Sequence, residues 1–254
     1  MFRRLKEKWN DRLIKRSIIT NTQWQNAFHI LPLLGRLTEE ERIRLKRLAI
    51  LFLYYKSLEG VGLEITTQMQ LIIALQACLP ILNLGLNWYR GWRAVIIYPG
   101  AFSKENIEID DCGVVHRSRV HLSGESWQQG VVVLSWNDSL HYGENDGRNV
   151  VIHEFAHKLD MLNGRANGLP PLHPGMLVEV WAKVFNAAFA DFERRMQEND
   201  PIPINPYALT SAAEFFAVFS ELFFEKPEII AHYYPEVYKL LARFYCQNPL
   251  DSVI

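Results

Sequence analysis

The chain has 254 residues, 49% apolar, 22% charged and 12% aromatic, with 27 Lys plus Arg against 28 Asp plus Glu. That is material for one large or two small domains with a sizeable core, which excludes the disordered, collagenous and low-complexity classes. A formal net charge of -1 gives no global field toward nucleic acid or acidic lipid, and three cysteines (Cys78, Cys112, Cys246) without a CxxC make no disulfide framework, so a reducing, cytoplasmic compartment is expected.

The first segment, MFRRLKEKWNDRLIKRS, sets seven basic residues against Glu7 and Asp11 and lacks the apolar stretch and cleavage site of a secretory signal. Phe2, Leu5, Trp9 and Leu13 recur between the cations at about helical spacing. The simpler expectation is a surface helix docked on the body by that stripe; the alternative is an amphipathic helix lying on an anionic surface or an acidic partner. Thr38 with Glu three positions on is a capping-box start and predicts a helix from Thr38 to Ser57. Ile65 to Tyr89 has no charged residue, long enough to raise the question of a membrane span. Seven Thr, Gln and Asn residues there, with Pro80 breaking the stretch, point instead to a buried helix ending near Leu79.

Between 94 and 136 the texture turns β-branched: AVIIYP (94–99), VVHRSRVHL (114–122) and GVVVLSW (130–136) predict at least three short strands. GENDGRN (143–149) is a turn cluster, and VVIHEFAHKLDML then carries helical periodicity until Asn163 and Gly164 stop it. NGLPPLHPG (167–175) is a loop, Met176 to Met196 a long helix, and PIPINP (201–206) its end. Further helices run from Ser211 to the C-terminus with breaks near Pro227 and Pro235. The fold class expected is α+β, a mainly helical single domain over 1–254. Its parts are a helical 1–90, a sheet plus motif helix at 91–164, and C-terminal helices at 165–254.

His153, Glu154, Phe155, Ala156 and His157 form an HExxH motif. On a helix, positions four apart lie about 40° apart in azimuth and about 6 Å along the axis, so both imidazoles can face one metal ion. Zinc is the expected guest, held by neutral imidazole with one position open for water. Glu154 then projects beside the ion, where it can take a proton from the attacking water and pass it to a leaving amine. The bland alternative is two ordinary histidines on a helix.

The source of a third ligand is less defined. A metzincin pattern needs Gly and His where this chain has Asp160 and Asn163. Asp160 would stand about 10 Å along a straight helix from His153, so an outer-sphere or surface role is expected. The remaining pattern draws a Glu from a downstream helix: Glu214 leads, with Glu221 two turns on as runner-up. Ser211 and Glu214 also spell a capping box, which would turn the carboxylate back to the helix end, and the residues alone leave both readings open. Tyr207 could donate its phenol to an oxyanion, or simply pack by its ring. His116, His121, His141, His173 and His232 lack metal spacing. Trp136-Asn137-Asp138 closes the strand before the motif helix, where a sheet edge could pair with an extended substrate. The aromatic C-terminal helices read most simply as core.

NVVIHEFAHKLDMLNG (149–164), YALTSAAEFFAVFSELFFEKP (207–227), QACLPIL (76–82), YPGAF (98–102) and FYCQNPL (244–250) resemble the Mlc titration factor A family of bacterial zinc metallopeptidases, in order and over nearly the whole chain. The N-terminal third shares few residues besides QACLPIL. The resemblance implies a zincin-like fold with a small mixed sheet packed on the HExxH helix, and a gluzincin-type site related to the anthrax lethal factor catalytic domain. In that site His153, His157 and Glu214 hold one zinc, Glu154 is the general base and Tyr207 stabilises the transition state. It further implies aminopeptidase-like hydrolysis of a peptide or protein. A partner is implied too, since enterobacterial members bind the glucose repressor Mlc in the cytoplasm and relieve repression of the glucose phosphotransferase gene. The alternative is a non-catalytic protein that sequesters a transcription factor, its metal site secondary. No membrane span and no direct nucleic-acid contact are expected, because the basic N-terminal stretch lacks a reading module.

Overall fold

The computed structural model of the chain describes residues 2–109, 115–122, 124–126, 130–140 and 147–251. Cys112, His141, residues 143–146 of the expected turn, and the side chains of Phe2, His116 and His121 lie outside what is described. Helices α1 (Phe2–Lys15), α2 (Asn21–Ile30) and α3 (Glu39–Tyr55) come first. Thr38 and Glu41 make the expected reciprocal capping box. Thr20 and Gln23 make a second one at α2, a helix the sequence reading did not anticipate. With Trp24 and Ala27 as its only buried residues, α2 has too short an apolar stripe to announce itself.

The expected helix to Ser57 ends at Tyr55, and Ser57–Gly60 becomes strand β1. This short SLEG segment is strand because β1 pairs in parallel with β2 (Ala94–Tyr98), a partner 37 positions away that no local pattern indicates. Helix α4 (Thr67–Cys78) is capped by Thr66 and has every residue from Leu71 to Cys78 buried. It is a core helix, and no described helix is long and apolar enough to cross a membrane.

The stretch at 94–136 holds more strands than the minimum of three. After β2 come β3 (Phe102–Ile109) and β4 (Val115–Leu122), which pair with each other as a separate antiparallel ribbon. β5 (Gly124–Ser126) and β6 (Val132–Ser135) complete a four-stranded sheet of order β1-β2-β6-β5, parallel except for β5. A helical turn α5 (Trp136–Ser139) leads to α6 (Val150–Asp160), the HExxH helix. The C-terminal helices are α7 (Val178–Gln197), α8 (Ala212–Glu225), α9 (Pro227–Tyr233) and α10 (Pro235–Tyr245), with Pro227 and Pro235 each opening a new helix. The architecture is thus α+β, mainly helical, with a small mixed sheet against α6.

Phe155 of α6 meets Phe52, Tyr89 and Trp92 at ring-centroid distances of 5.7, 5.1 and 5.6 Å. Every residue of α8 from Phe215 to Phe224 is buried, so α8 is enclosed on all sides and apolar there except for Ser220 and Glu221. Cys78 and Cys246 are free thiols.

One expectation is reversed. α1 packs on α3, but not by its apolar stripe. Arg47 on α3 pairs with Asp11 at 2.6 Å, the Tyr55 hydroxyl donates to Asn10 Oδ1 at 3.0 Å, and Lys6 reaches Asn87 at 2.9 Å. Ile14 packs against the core while Leu5 and Trp9 stay in solvent. The facing surface of the body offers Arg47 and the Tyr55 hydroxyl, so the polar side of α1 is the side that finds partners.

Candidate metal centre

The amino end of α6 is fixed by one residue. Asn149 caps the helix, its Oδ1 accepting the Ile152 N–H at 2.9 Å. Its own N–H donates to Glu221 Oε2 at 2.5 Å, and its amide nitrogen to Gln76 Oε1 and Glu225 Oε1, each at 2.7 Å. α6 is thereby tied to α4 and α8, and His153 and His157 share the face turned toward α8.

On α8, Ser211 Oγ accepts the Glu214 N–H at 3.2 Å, half of the capping box the sequence allowed. The Glu214 carboxylate does not return to the helix end. Its Oε2 lies 2.9 Å from His153 Nε2 and 3.4 Å from His157 Nε2, and the two ring nitrogens are 3.2 Å apart. Ligand atoms of the three residues all lie within 4.8 Å of one another, a group that could hold a metal ion.

Glu221, the runner-up ligand, takes the other side of the ring. Its Oε1 lies 2.7 Å from His153 Nδ1. An ionised carboxylate only accepts, so Nδ1 is the donor and Nε2 keeps its lone pair toward Glu214 Oε2. Two acceptor atoms facing at 2.9 Å repel unless a cation or a proton lies between them, which is the condition of a metal site. Where a proton takes that place, burial would raise the Glu214 carboxyl, but the hydrogen bonds then donated by His153 and His157 dominate and hold it well below the usual carboxylate range.

Glu154 is buried on the same helix, against strand β5. A Cβ on Gly124 would fall 2.4 Å from Glu154 Oε1 and 2.6 Å from its Cγ, so only glycine lets the strand approach the carboxylate this closely. β5 ends the order of the described strands and packs on α6 more extensively than the Trp136–Ser139 turn after the internal β6, which also touches α6. Tyr207 stands in a short turn, Pro206–Thr210, half exposed, its ring centroid 6.2 Å from that of His153. Burial, reinforced by the charges of Glu214 and Glu154, pushes its phenol up to about 12, which keeps it a donor at neutral pH.

Asp160 is fully buried, so of the two expected roles the surface one fails. Its Oδ2 accepts the N–H groups of Asn167 and Gly168 at 2.8 and 2.7 Å. Gly168 has a φ of 78°, its carbonyl accepts Trp181 Nε1 at 2.9 Å, and a Cβ there would stand 2.4 Å from the Ala212 carbonyl oxygen. Asp160, Gly168 and Ala212 therefore set how α8 sits against α6, two residues before Glu214. His173 bonds the Phe244 carbonyl at 2.7 Å and His232 lies against Tyr233.

Two lysines escaped the sequence reading. Lys56 Nζ donates to the Tyr89 and Trp92 carbonyls, both at 2.5 Å, and lies 3.7 Å from the Trp92 ring centroid. Lys158 Nζ, 5.3 Å from the same ring, donates to the Gly130 carbonyl at 3.1 Å. Burial, with Lys158 and Arg93 adding repulsion, pulls Lys56 down to about 8. A buried lysine on a strand or helix end carries no local signature; only the contact with Trp92 reveals the pair.

The model of one family, described as glucose-regulated metallo-peptidase M90, matches residues 5–246. Mlc titration factor A of Escherichia fergusonii is 42% identical over 234 residues, 91% of this chain and 88% of that protein. Mlc titration factor A of Shigella dysenteriae serotype 1 is 40% identical over 250 residues, 97% of this chain and 94% of that protein. The protein of that name from Klebsiella pneumoniae is 42% identical over 234 residues, with 91% and 88% coverage.

Proposed function

The chain belongs to the glucose-regulated metallo-peptidase M90 family, and on that premise we propose that it is a zinc-dependent metallopeptidase, aminopeptidase-like, acting on a peptide or protein. The observation that carries the reading is the convergence of His153 Nε2, His157 Nε2 and Glu214 Oε2. Zinc bonds of about 2.0–2.1 Å give a tetrahedron edges of about 3.3 Å. The three separations, 3.2, 2.9 and 3.4 Å, fall around that length, so these residues fit zinc as its protein ligands.

When bound, zinc supplies a Lewis acid that acidifies water and polarises a carbonyl. Glu154 accepts the proton of the attacking water and delivers it to the departing amine, held in place by the close approach of Gly124. Tyr207 donates its hydroxyl to the carbonyl oxygen as negative charge gathers there. Strand β5 offers its outer edge to an extended peptide beside Glu154. Hydrolysis of a mixed peptide library by the zinc-loaded chain and by Glu154→Gln at matched zinc content tests this. Turnover is expected to fall by about 10²–10⁴-fold in the variant with zinc still stoichiometric; a variant that cleaves at the wild-type rate overturns the assignment.

A second role rests on the name of the relatives, Mlc titration factor A: binding of the repressor Mlc in the cytoplasm. Purified Mlc should bind both wild type and Glu154→Gln. Binding without turnover in either form would favour the alternative, a regulatory protein that sequesters a transcription factor and whose metal site is secondary.

A further inference from the structure

Seven of the 27 basic residues but only two of the 28 acidic ones lie in residues 1–16, so this segment carries +5 and the rest of the chain -6. The segregation coincides with an inverted helix. α1 rests on α3 through Asn10, Asp11 and Ile14: Asp11 pairs with Arg47, Asn10 accepts from the Tyr55 hydroxyl, and Ile14 packs against the core. Trp9 lies about 140° around the helix from Ile14, and Leu5 and Trp9, about 40° apart, point away from the body, with half-buried Leu13 at the margin of their arc. Leu5 is 56% and Trp9 47% exposed. Lys8, Arg12 and Arg16, all exposed, border that arc. A helix that spends its polar face on the protein and leaves an apolar, cation-flanked face in water has a second surface to cover.

We propose that the outward face of α1 docks on an anionic lipid surface, peripherally. Tryptophan and leucine enter the boundary between headgroups and acyl chains, and the flanking cations meet the lipid phosphates. Charge complementarity selects this occupant: four net positive charges on one short helix suit a continuous negative plane. No described helix is long and apolar enough to cross a membrane. The proposal stands apart from the metal centre and from any peptidase activity.

The test is sedimentation of the full chain with phosphatidylcholine vesicles and with vesicles that also contain phosphatidylglycerol, beside a Leu5→Ser/Trp9→Ser variant. Both residues are exposed, so the variant should melt with the wild type, and melting is measured to establish that. Wild type should bind the phosphatidylglycerol vesicles only, less so as salt rises, and the double variant should bind at least about tenfold more weakly. Wild type left in the supernatant with both vesicles overturns the proposal. So does a double variant that binds as well as wild type, which would mean adsorption by charge alone. Wild-type self-association that the double variant loses, without vesicle binding, would make a second copy of the chain the occupant and overturn it as well.

Discussion

His153 is engaged at both ring nitrogens, Nε2 toward Glu214 and Nδ1 toward Glu221. The Glu221 contact fixes which nitrogen keeps a lone pair, so Glu221→Gln should weaken zinc binding by about 10- to 100-fold, measured by chelator competition. An unchanged zinc affinity would reduce Glu221 to a cap on Asn149. Tyr207 is different in kind, because it is half exposed and keeps a phenol proton to donate. Tyr207→Phe should keep zinc affinity and lower kcat by about 10²-fold or more with little change in KM, the signature of a group that acts on charge formed in the transition state. The HExxH residues could be read from spacing alone, because four positions on a helix bring two side chains to one face. Glu214 could not: the same four letters, Ser211 to Glu214, describe a helix cap, and only the presence of α6 opposite the carboxylate decides between them.

Among elements, the decisive pair is α6 and α8, one carrying two of the converging ligand atoms and the other the third. Their separation is set by the Asp160, Gly168 and Ala212 contact and by Asn149 reaching Glu221 and Glu225. Gly168→Ala would place a Cβ 2.4 Å from the Ala212 carbonyl oxygen on a backbone with φ of 78°. The strain is about 1–3 kcal/mol, and the displacement moves Glu214. The expected result is a lowered denaturant midpoint together with a lower zinc affinity; loss of stability with unchanged zinc affinity would show that the clamp does not position the ligand. Helices with long apolar runs, α3, α4 and α6, were legible in the sequence, whereas α2, with a full capping box but only two buried residues, was not. Strand β1 was not, because SLEG becomes a strand only through its pairing with β2.

For the molecule as a whole, Lys56 joins α3, the 86–92 segment and, through the Trp92 ring shared with Lys158, the motif helix. Its folded pKa, about 8, lies below the ordinary 10.5. Below about pH 8 the group is charged in both folded and unfolded chains and its contribution is constant. From about pH 8 to 10 the folded chain gives up this proton while the unfolded chain keeps it, so stability should rise with pH across that window. Burial pulls Lys158 down to about 8 as well, so urea midpoints over this range should show the rise and Lys56→Met should reduce its slope without abolishing it, while lowering stability at neutral pH because the Tyr89 and Trp92 carbonyls lose their donor. A variant with the wild-type slope would remove Lys56 as its source.

The sequence by itself determined the fold class, the boundaries of most helices and the identity of the HExxH face, because caps, apolar periodicity and four-residue spacing are local properties of a chain. Tertiary structure decided the rest: that Glu214 faces two imidazoles rather than its own helix end, that Glu221 takes the far nitrogen of His153, that Asp160 is buried under a loop, and that α1 turns its apolar stripe outward. Each depends on what another element presents across a gap, and that information lies in packing between distant residues, not in the spacing of near ones.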